Sequence, residues 1–235
     1  MTQLQLPPLL AGQQAPDGKD PFDHARQLAA EGCDAGTIVY DLGATVLRAS
    51  LIVAPEEPLA GAAVILPVCA IGFQNALGAL APPEVAVQLT WDGKILINGG
   101  VCGAFRIAAS TQDPAEIPGW MVAGFRLTLW PENEDTGLTP DQTALYSEGC
   151  AEVAAPDLLE AWARHTLVWI NRWTEDGPAS LHREWEGLVP SIGEEITLPQ
   201  GTGTFLGVDE RFGLLLRTGG GTDLVPLTAL LEERR

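Results

Sequence analysis

The sequence predicts an α+β fold followed by a small β-barrel module, and two observations carry this prediction. Three apolar segments joined by Asp92-Gly93 and Asn98-Gly99 predict an antiparallel meander, because these dipeptides favour tight hairpin turns. Short apolar segments separated by glycine-rich turns, from residue 192 to residue 227, are typical of a small β-barrel. We therefore expect an irregular lead-in over residues 1–20, a main domain over residues 21–185 and a module over residues 186–235.

The start of the main domain carries signals for one helix and two strands. Asp20-Pro21 predicts an N-cap followed by proline at the first helical position, and Gly32 suits the end of this helix. Strands are predicted at Thr37–Tyr40 and Val46–Val53, because both segments are rich in strand-forming residues and they flank a turn at Gly43.

The segment from Leu59 to Ala81 is almost wholly apolar and is long enough to suggest a membrane helix. However, Pro67 interrupts it, glycines and two polar residues dilute it, and no basic residue flanks it. We therefore expect a buried core helix from about Pro67 to Leu80, stopped by Pro82-Pro83, and no association with a membrane.

The meander, a further strand and two helices complete the main domain before the C-terminal module. A broad apolar stripe that begins near Pro156 and reaches Trp173 predicts a buried amphipathic helix. The other predicted elements are strands at Val85–Trp91, Lys94–Ile97, Val101–Ala108 and Met121–Leu129, a helix around Ala179–Leu188, and module strands at Glu195–Leu198, Gly203–Val208, Gly213–Arg217 and Asp223–Leu227.

The chain is strongly acidic, with 31 Asp and Glu against 13 Lys and Arg and a formal net charge of −18. This balance argues against a nucleic-acid partner and against binding to an anionic membrane, because both need dense basic patches. The cysteines are dispersed and have no histidine neighbours, so neither metal ligands nor disulfides are expected. The N-terminus lacks a basic start and a sustained apolar run, which indicates a cytoplasmic protein.

Two regions of the chain resemble the biotin/lipoate protein ligase family. In the first, Thr90-Trp91-Asp92 opens a hairpin and Asn98–Gly103 closes it. The second region, with Glu184-Trp185, Ile192–Leu198 and Gly207–Leu216, is similar to the SH3-like C-terminal module of biotin protein ligases. The resemblance covers most of the chain and implies a ligase-like catalytic domain with a C-terminal SH3-like β-barrel.

The resemblance also implies chemistry, namely activation of biotin or lipoate with ATP and transfer of the acyl group to a lysine of an acceptor domain. Three family features carry this chemistry, and each differs here. The arginine- and glycine-rich loop before the strand at Leu47–Val53 is missing. In the family's lysine-tryptophan-proline-asparagine-aspartate motif, Trp91 matches the tryptophan but Thr90 replaces the lysine. Gly100 stands at the position of the catalytic lysine, three residues before Gly103.

Adenylation brings a carboxylate toward the phosphates of ATP, so the site must supply cations. The chain has two lysines, and we identify Lys94 as the candidate that could reach the vacated position from a neighbouring strand. Arg48 and Arg106 lie in strands that the resemblance places around the ligand pocket. The alternatives are that Lys94 is a solvated residue after a hairpin turn and that the arginines form salt bridges with carboxylates.

The remaining candidates would contact the ligand rather than carry charge. We expect Trp91 to line the pocket, as the resemblance implies. Cys102 is better explained as a buried thiol than as a nucleophile. Asn98 is expected to bind the ligand, and the backbone is expected to approach the ligand closely at Gly99, Gly100 and Gly103.

Two functions remain open at this point. The first is a divergent ligase or acyltransferase that handles a biotin-, lipoate- or octanoate-like acyl group, with Lys94, Arg48 and Arg106 supplying the positive field. The second is a relative that has lost adenylation and acts as a small-molecule binder or accessory protein. Both predict a small acyl ligand as the partner. ATP and a biotin- or lipoyl-acceptor domain are expected if activity is retained.

Overall fold

The computed structural model describes residues 4–131, 139, 141–198 and 201–233. Within these residues the strands form two sheets and the helices pack on the larger one. The strands are β1 (Ala11–Gln14), β2 (Thr37–Leu42), β3 (Val46–Val53), β4 (Val87–Leu89), β5 (Lys94–Ile97), β6 (Gly100–Ala109), β7 (Met121–Thr128), β8 (Glu195–Leu198), β9 (Gly201–Val208), β10 (Leu214–Thr218) and β11 (Gly221–Val225). The helices are α1 (Pro21–Ala30), α2 (Leu59–Ala62), α3 (Ile65–Leu80), α4 (Ala155–Asp176) and α5 (Ala179–Leu188).

The larger sheet is mixed and has the strand order β1-β2-β3-β7-β6-β5-β4. β1 pairs in parallel with β2, and the other neighbouring strands pair antiparallel. The smaller sheet, at the C-terminus, is antiparallel with the order β11-β10-β9-β8. This arrangement confirms the predicted fold class, and the smaller sheet is consistent with an SH3-like module.

Helices cover the two faces of the larger sheet unequally. α3 and α4 pack together over one face, where Leu47 and Phe125 belong to the main buried core. α1 packs over part of the other face, against a smaller cluster that includes Val39 and Val122. Side chains alternate between faces along a strand, so Arg48, which follows Leu47, lies on the α1 face. The part of this face beyond α1 is left for polar side chains.

Helix α1 begins and ends where the sequence predicts. Asp20 is its N-cap, and the side chain accepts a hydrogen bond from the Phe22 N–H at 2.8 Å. Pro21 occupies the first helical position, where its missing N–H is not needed. Gly32, just beyond the helix, has a φ angle of 91°, which glycine adopts without steric cost.

The apolar segment forms α2 and α3 inside the molecule. An 18-residue window within Leu59–Leu80 has a mean hydropathy of 1.8, and 72% of the window is buried by the rest of the chain. At Gly72 the two long helices approach closely, because a Cβ there would lie 2.9 Å from backbone atoms of Thr166 on α4. This packing supports the interpretation of the segment as a core helix. The helix begins at Ile65, two residues before Pro67, since proline is tolerated in a first turn.

The prediction of an irregular lead-in over residues 1–20 is wrong for Ala11–Gln14, which form β1. This strand lies at the edge of the sheet and its four residues are exposed, so no alternation of apolar and polar residues announces it. Residues 1–3 of the lead-in lie outside the described residues. The loop that follows β1 leads directly into α1.

The two hairpin turns of the meander differ in type. Asn98 and Gly99 have φ angles of 50° and 88°, as a two-residue type I′ turn requires. At the other turn Gly93 has a φ of 88°, but Asp92 does not share the positive angle. Thr90 and Lys94 close a three-residue loop there, through a hydrogen bond from the Thr90 N–H to the Lys94 oxygen at 3.0 Å. The predicted two-residue hairpin turn at Asp92-Gly93 is therefore corrected to a three-residue loop, and β4 is shorter than predicted.

The C-terminal segment after the smaller sheet returns to the main domain. Leu231 forms a parallel bridge with Ile107 of β6, and the Glu232 N–H donates to the Ile107 oxygen at 2.9 Å. The Arg26 guanidinium of α1 donates to the Glu233 oxygen at 3.1 Å. We call residues 231–233 the returning segment. It joins α1 and β6 at the border of the open part of the α1 face.

Candidate functional site

Strand register places charged residues in one line across the α1 face of the larger sheet. Asp41 lies opposite Arg48, and Arg48 lies opposite Arg126. Arg126 in turn lies opposite Ala104, and Ala104 lies opposite Lys94. Residues directly opposite each other share a face, so the line crosses five strands and spans about 19 Å. We call this line the charged row.

A cavity of about 370 Å³ opens at the Arg48 end of the charged row. Its walls are the loop from Gln14 to Asp20, which joins β1 to α1, together with Asp41 and Arg48. The Arg48 guanidinium forms an ion pair with Asp41 at 3.0 Å, and both side chains remain about one-third exposed. Among the described lining residues, Arg48 and Lys19 are cations, and Asp17, Asp20 and Asp41 are acidic. We call this space the Arg48 cavity.

The connection that borders the charged row is short. β2 ends at Leu42 and β3 begins at Val46, so three residues join the two strands. The Trp130 N–H donates to the Thr45 oxygen of this turn at 3.2 Å. The sequence prediction that a long loop is missing here agrees with this geometry, and the charged row has no covering loop from this connection.

Arg106 lies next to the charged row but is held by acidic neighbours. Its guanidinium forms a two-pronged contact with the Glu232 carboxylate of the returning segment, and one nitrogen lies 3.4 Å from an oxygen of Asp20. The guanidinium also stacks 4.3 Å from the ring centroid of Phe22. The hydrogen bonds that Arg106 donates to Glu232, together with the negative charges of Glu232, Asp20 and Asp23, raise the pKa of Arg106. Arg106 therefore ties α1 and the returning segment to β6.

Lys94 occupies the far end of the charged row. Its Nζ lies 3.0 Å from an oxygen of Asp92, and half of the side chain is exposed. The ladder pairs Lys94 with Ala104 but pairs Ile97 with Gly100, so Lys94 and Gly100 are about 13 Å apart along the strands. The structure thus brings Lys94 into line with Arg48 and not beside the position that Gly100 occupies.

Asn98, Gly99 and Gly100 lie together at the opposite end of the β5–β6 hairpin. The Asn98 side chain accepts from the Ala86 N–H and donates to Glu148, each at 2.9 Å. At Gly100, a Cβ would lie 2.9 Å from the side chain of Thr143. The hairpin end is therefore packed against neighbouring chain segments, away from the Arg48 cavity.

Gly103 faces the neighbouring strand. A Cβ at this position would clash with the carbonyl oxygen of Arg126 and would lie 3.1 Å from the Leu127 Cα. The absence of a side chain at Gly103 thus allows β6 and β7 to approach each other. Close packing of two strands explains this glycine without a ligand.

Trp91 is buried between the meander and the C-terminal module, with an exposed fraction of 3%. Its indole N–H donates to the Phe212 oxygen at 2.8 Å. Phe212 has a φ of 61°, an uncommon angle for a residue with a side chain, and its ring stacks 4.1 Å from that of His182. Trp91 does not line the Arg48 cavity. The structure places it instead at the contact that holds the smaller sheet.

Replacing Trp91 with phenylalanine should lower the free energy of unfolding by about 1–3 kcal/mol, because the buried Phe212 carbonyl loses its donor. Urea unfolding followed by circular dichroism measures this change. Trp130→Phe, at a half-exposed indole, is the matched control and should change little. Unchanged stability combined with weaker binding of an acyl ligand would contradict this role and favour Trp91 as a pocket residue.

Cys102 is a buried thiol. Burial, with a smaller contribution from the Glu148 charge, raises its pKa to about 12, so the thiol stays protonated at neutral pH. Its sulfur lies 3.3 Å from the Thr128 oxygen. Because the nucleophile of thiol chemistry is the thiolate, Cys102 is not poised for attack. Within the described part of the chain, no group of three or more His, Cys, Asp or Glu residues could hold a metal ion.

Three residues of this site were missed by the sequence analysis. Arg126 stands in the middle of the charged row, Asp41 pairs with Arg48, and Lys19 lines the Arg48 cavity. An arginine inside the apolar strand at Met121–Thr128 is a signal that the sequence offers. Lys19 and Asp41 carry no comparable signal, because exposed charged residues in loops and at strand ends are common.

Comparison with known proteins identifies relatives over nearly the whole chain. The model of the biotin/lipoate A/B protein ligase family matches residues 6–187, and that of a domain of unknown function matches residues 192–233. The biotin–[acetyl-CoA-carboxylase] ligase of Paracoccus denitrificans is 25% identical over 183 residues, which are 75% of this chain and 76% of the relative.

Solved structures extend the comparison. A biotin protein ligase-like protein of unknown function from Silicibacter sp. is 58% identical, and the match covers 98% of this chain and 100% of the other with a TM-score of 0.94. Biotin protein ligase from Aquifex aeolicus has a TM-score of 0.70 at 15% identity, covering 88% and 92% of the two chains, which shows a shared fold. Because the first family model spans well over half of the sequence, this chain belongs to the biotin/lipoate A/B protein ligase family.

Proposed function

We propose that this protein is a divergent family member that binds a small carboxylic acid of the biotin, lipoate or octanoate class at the Arg48 cavity. The observation that carries the proposal is the position of Arg48, which lines that cavity and lies in the charged row next to Asp41. An arginine presents several N–H donors, and the Asp41 contact at 3.0 Å involves one of its terminal nitrogens. Donors therefore remain for a ligand carboxylate, and Lys19 adds a second positive charge to the lining of the cavity.

Ordinary adenylation is not part of the proposal. A site that joins a carboxylate to ATP needs cations or oriented N–H groups around the phosphates. The position that resembles the family's catalytic lysine is Gly100, and the three-residue β2–β3 turn offers no arginine-rich loop. The loss of one such donor lowers rates by about 10²–10³-fold. Binding without activation is the function that these features support best.

An acyl-transfer enzyme is the second candidate, and one observation favours it. Lys94 and Arg126 continue the charged row beyond the cavity, so a second anionic group on the same face would meet further positive charge. The Paracoccus relative is named as a ligase for biotin and acetyl-CoA carboxylase, so an acceptor protein would be the partner in this case. ATP-dependent release of pyrophosphate, abolished by Lys94→Met, is the result that would establish this candidate over simple binding.

Two parts of the chain would have different roles. The main domain and the loop from Gln14 to Asp20 would together hold the ligand, while residues 186–235 would stabilise the meander through the Trp91–Phe212 contact. A cytoplasmic location is the setting that fits a small acyl ligand and four free cysteines. No nucleic-acid or membrane partner is part of the proposal.

Calorimetry with octanoate, biotin and lipoate tests the binding proposal. Arg48→Gln should weaken binding of the recognised acid about tenfold, because a charge-assisted hydrogen bond is lost. Asp41→Asn should strengthen it, because the competing carboxylate is removed from the same guanidinium. Arg164→Gln, an exposed arginine paired with Glu160 on α4, is the charge-matched control and should leave affinity unchanged. If none of the three acids binds, or if Arg48→Gln and Arg164→Gln behave alike, the proposal fails.

A further inference from the structure

A second cavity, of about 650 Å³, lies between the β3–α2 loop and the C-terminal half of α4. Its lining includes Val53 at the end of β3, Ile65 on α3, and Ile170 and Trp173 on α4. These apolar side chains belong to, or pack against, the main core on the α3–α4 side of the sheet. The space is therefore separate from the Arg48 cavity, which opens on the α1 face.

The charges around this second cavity are all of one sign among the described lining residues. Glu56 and Glu57 provide them, and no lysine or arginine lines the space. Arg211 of the C-terminal module acts on Glu57 through its charge, but it lines a different cavity. An apolar interior, an indole and two carboxylates together match an organic cation, since ammonium groups bind carboxylates and aromatic faces.

Glu56 and Glu57 lie on a loop whose backbone is restricted by proline on both sides. Pro55 precedes them and Pro58 follows them, and proline fixes the backbone φ angle. Gly61 leaves room for the Glu57 side chain, because a Cβ at Gly61 would clash with the Glu57 carboxylate. Burial raises the pKa of Glu57, and the charge of Arg211 opposes this shift. A cationic partner would oppose this shift, because an opposite charge nearby favours the ionised carboxylate.

We propose that this cavity is a binding site for an organic cation with an apolar body, such as an aryl- or alkylammonium compound. The apolar part would lie against Ile65 and Ile170, and the ammonium group would lie between Trp173 and the carboxylates of Glu56 and Glu57. The site does not depend on the acyl-ligand function, because none of its lining residues lines the Arg48 cavity.

Titration of the ¹⁵N-labelled protein with benzyltrimethylammonium chloride tests the site, with benzyl alcohol and benzoate as the neutral and anionic probes of similar size. We expect a saturable shift of the Trp173 indole N–H signal, identified by its absence in Trp173→Phe, with the cation alone. The double variant E56Q/E57Q should weaken binding about fivefold or more. E184Q/E186Q, which removes two exposed charges on α5, is the matched control and should bind as the wild type does.

Three results would overturn the site. One is the absence of a saturable shift up to about 20 mM cation, which would show that the cavity does not bind this probe. Another is equal binding of benzyl alcohol, which would show a merely apolar cleft. The last is equal affinity of E56Q/E57Q and E184Q/E186Q, which would assign any binding to the net charge of the whole protein. The ¹⁵N spectrum of each variant also shows directly whether the variant is folded.

Discussion

Replacing Trp162 with alanine should lower the free energy of unfolding by about 3–5 kcal/mol, because it removes one of the largest fully buried side chains. Trp162 is fully buried on α4, and its ring lies edge-on to that of Phe125 with centroids 5.0 Å apart. The Phe125 ring also packs against that of Phe73 on α3, with ring centroids 5.2 Å apart. The substitution also removes the hydrogen bond from the indole N–H to the Cys69 oxygen at 3.1 Å. Urea unfolding followed by far-ultraviolet circular dichroism measures the loss.

Val168→Ala on the same helix is the control for Trp162, because its side chain is 46% exposed and contacts solvent rather than the core. We expect a change of about 0.5 kcal/mol or less for this variant. A loss below about 1 kcal/mol for Trp162→Ala would mean that the aromatic cluster does not hold the two helices on the sheet as described.

Gly103→Ala should destabilise the protein by about 1–3 kcal/mol, because the added Cβ meets the backbone of Arg126 and Leu127, which cannot turn aside as a side chain could. The matched control is Gly187→Ala in α5, where a Cβ would meet nothing within 4 Å. Alanine is the better helix former, so that variant should gain about 0.5–1 kcal/mol. The same chemical change thus has opposite expected signs at two glycines.

Thermal unfolding of the two glycine variants, together with octanoate titration, also tests the ligand prediction for Gly103. If Gly103→Ala unfolds like the wild type but no longer binds an acid that the wild type binds, close approach to the ligand is the reason for this glycine. If it is destabilised in proportion to the clash with β7, strand packing is sufficient.

The elements predicted from the sequence are those with local signals. Asp20-Pro21 specifies the start of α1 through one side-chain hydrogen bond, and Asn98-Gly99 specifies a turn through two backbone angles. Strand β1 has neither kind of signal, since its pairing with β2 comes from the sheet and its side chains are exposed. Local chemistry therefore predicts element positions well and edge strands poorly.

The arrangement of the candidate site depends on strand register, which could not be predicted from the sequence. Arg48, Arg126 and Lys94 align because the registers of four antiparallel strands bring positions 48, 126, 104 and 94 into one line. Register depends on the packing of whole strands, and the bulge between Ile95 and Leu96 shifts it further. A prediction from neighbours along the chain could name Arg48 and Lys94 as candidates, but not place them in the same line.

The returning segment has a consequence for the order in which the protein folds. Arg26 and Glu233 are 207 positions apart, yet they are hydrogen-bonded, and Glu232 binds Arg106 across 126 positions. Closing loops of this length is entropically unfavourable and slow, so such contacts form after local hairpins and helices. During synthesis the strands of the larger sheet would emerge long before residues 231–233. The border of the α1 face is therefore the part of the main domain that is completed last, and a stalled or truncated chain would present the charged row with α1 incompletely held.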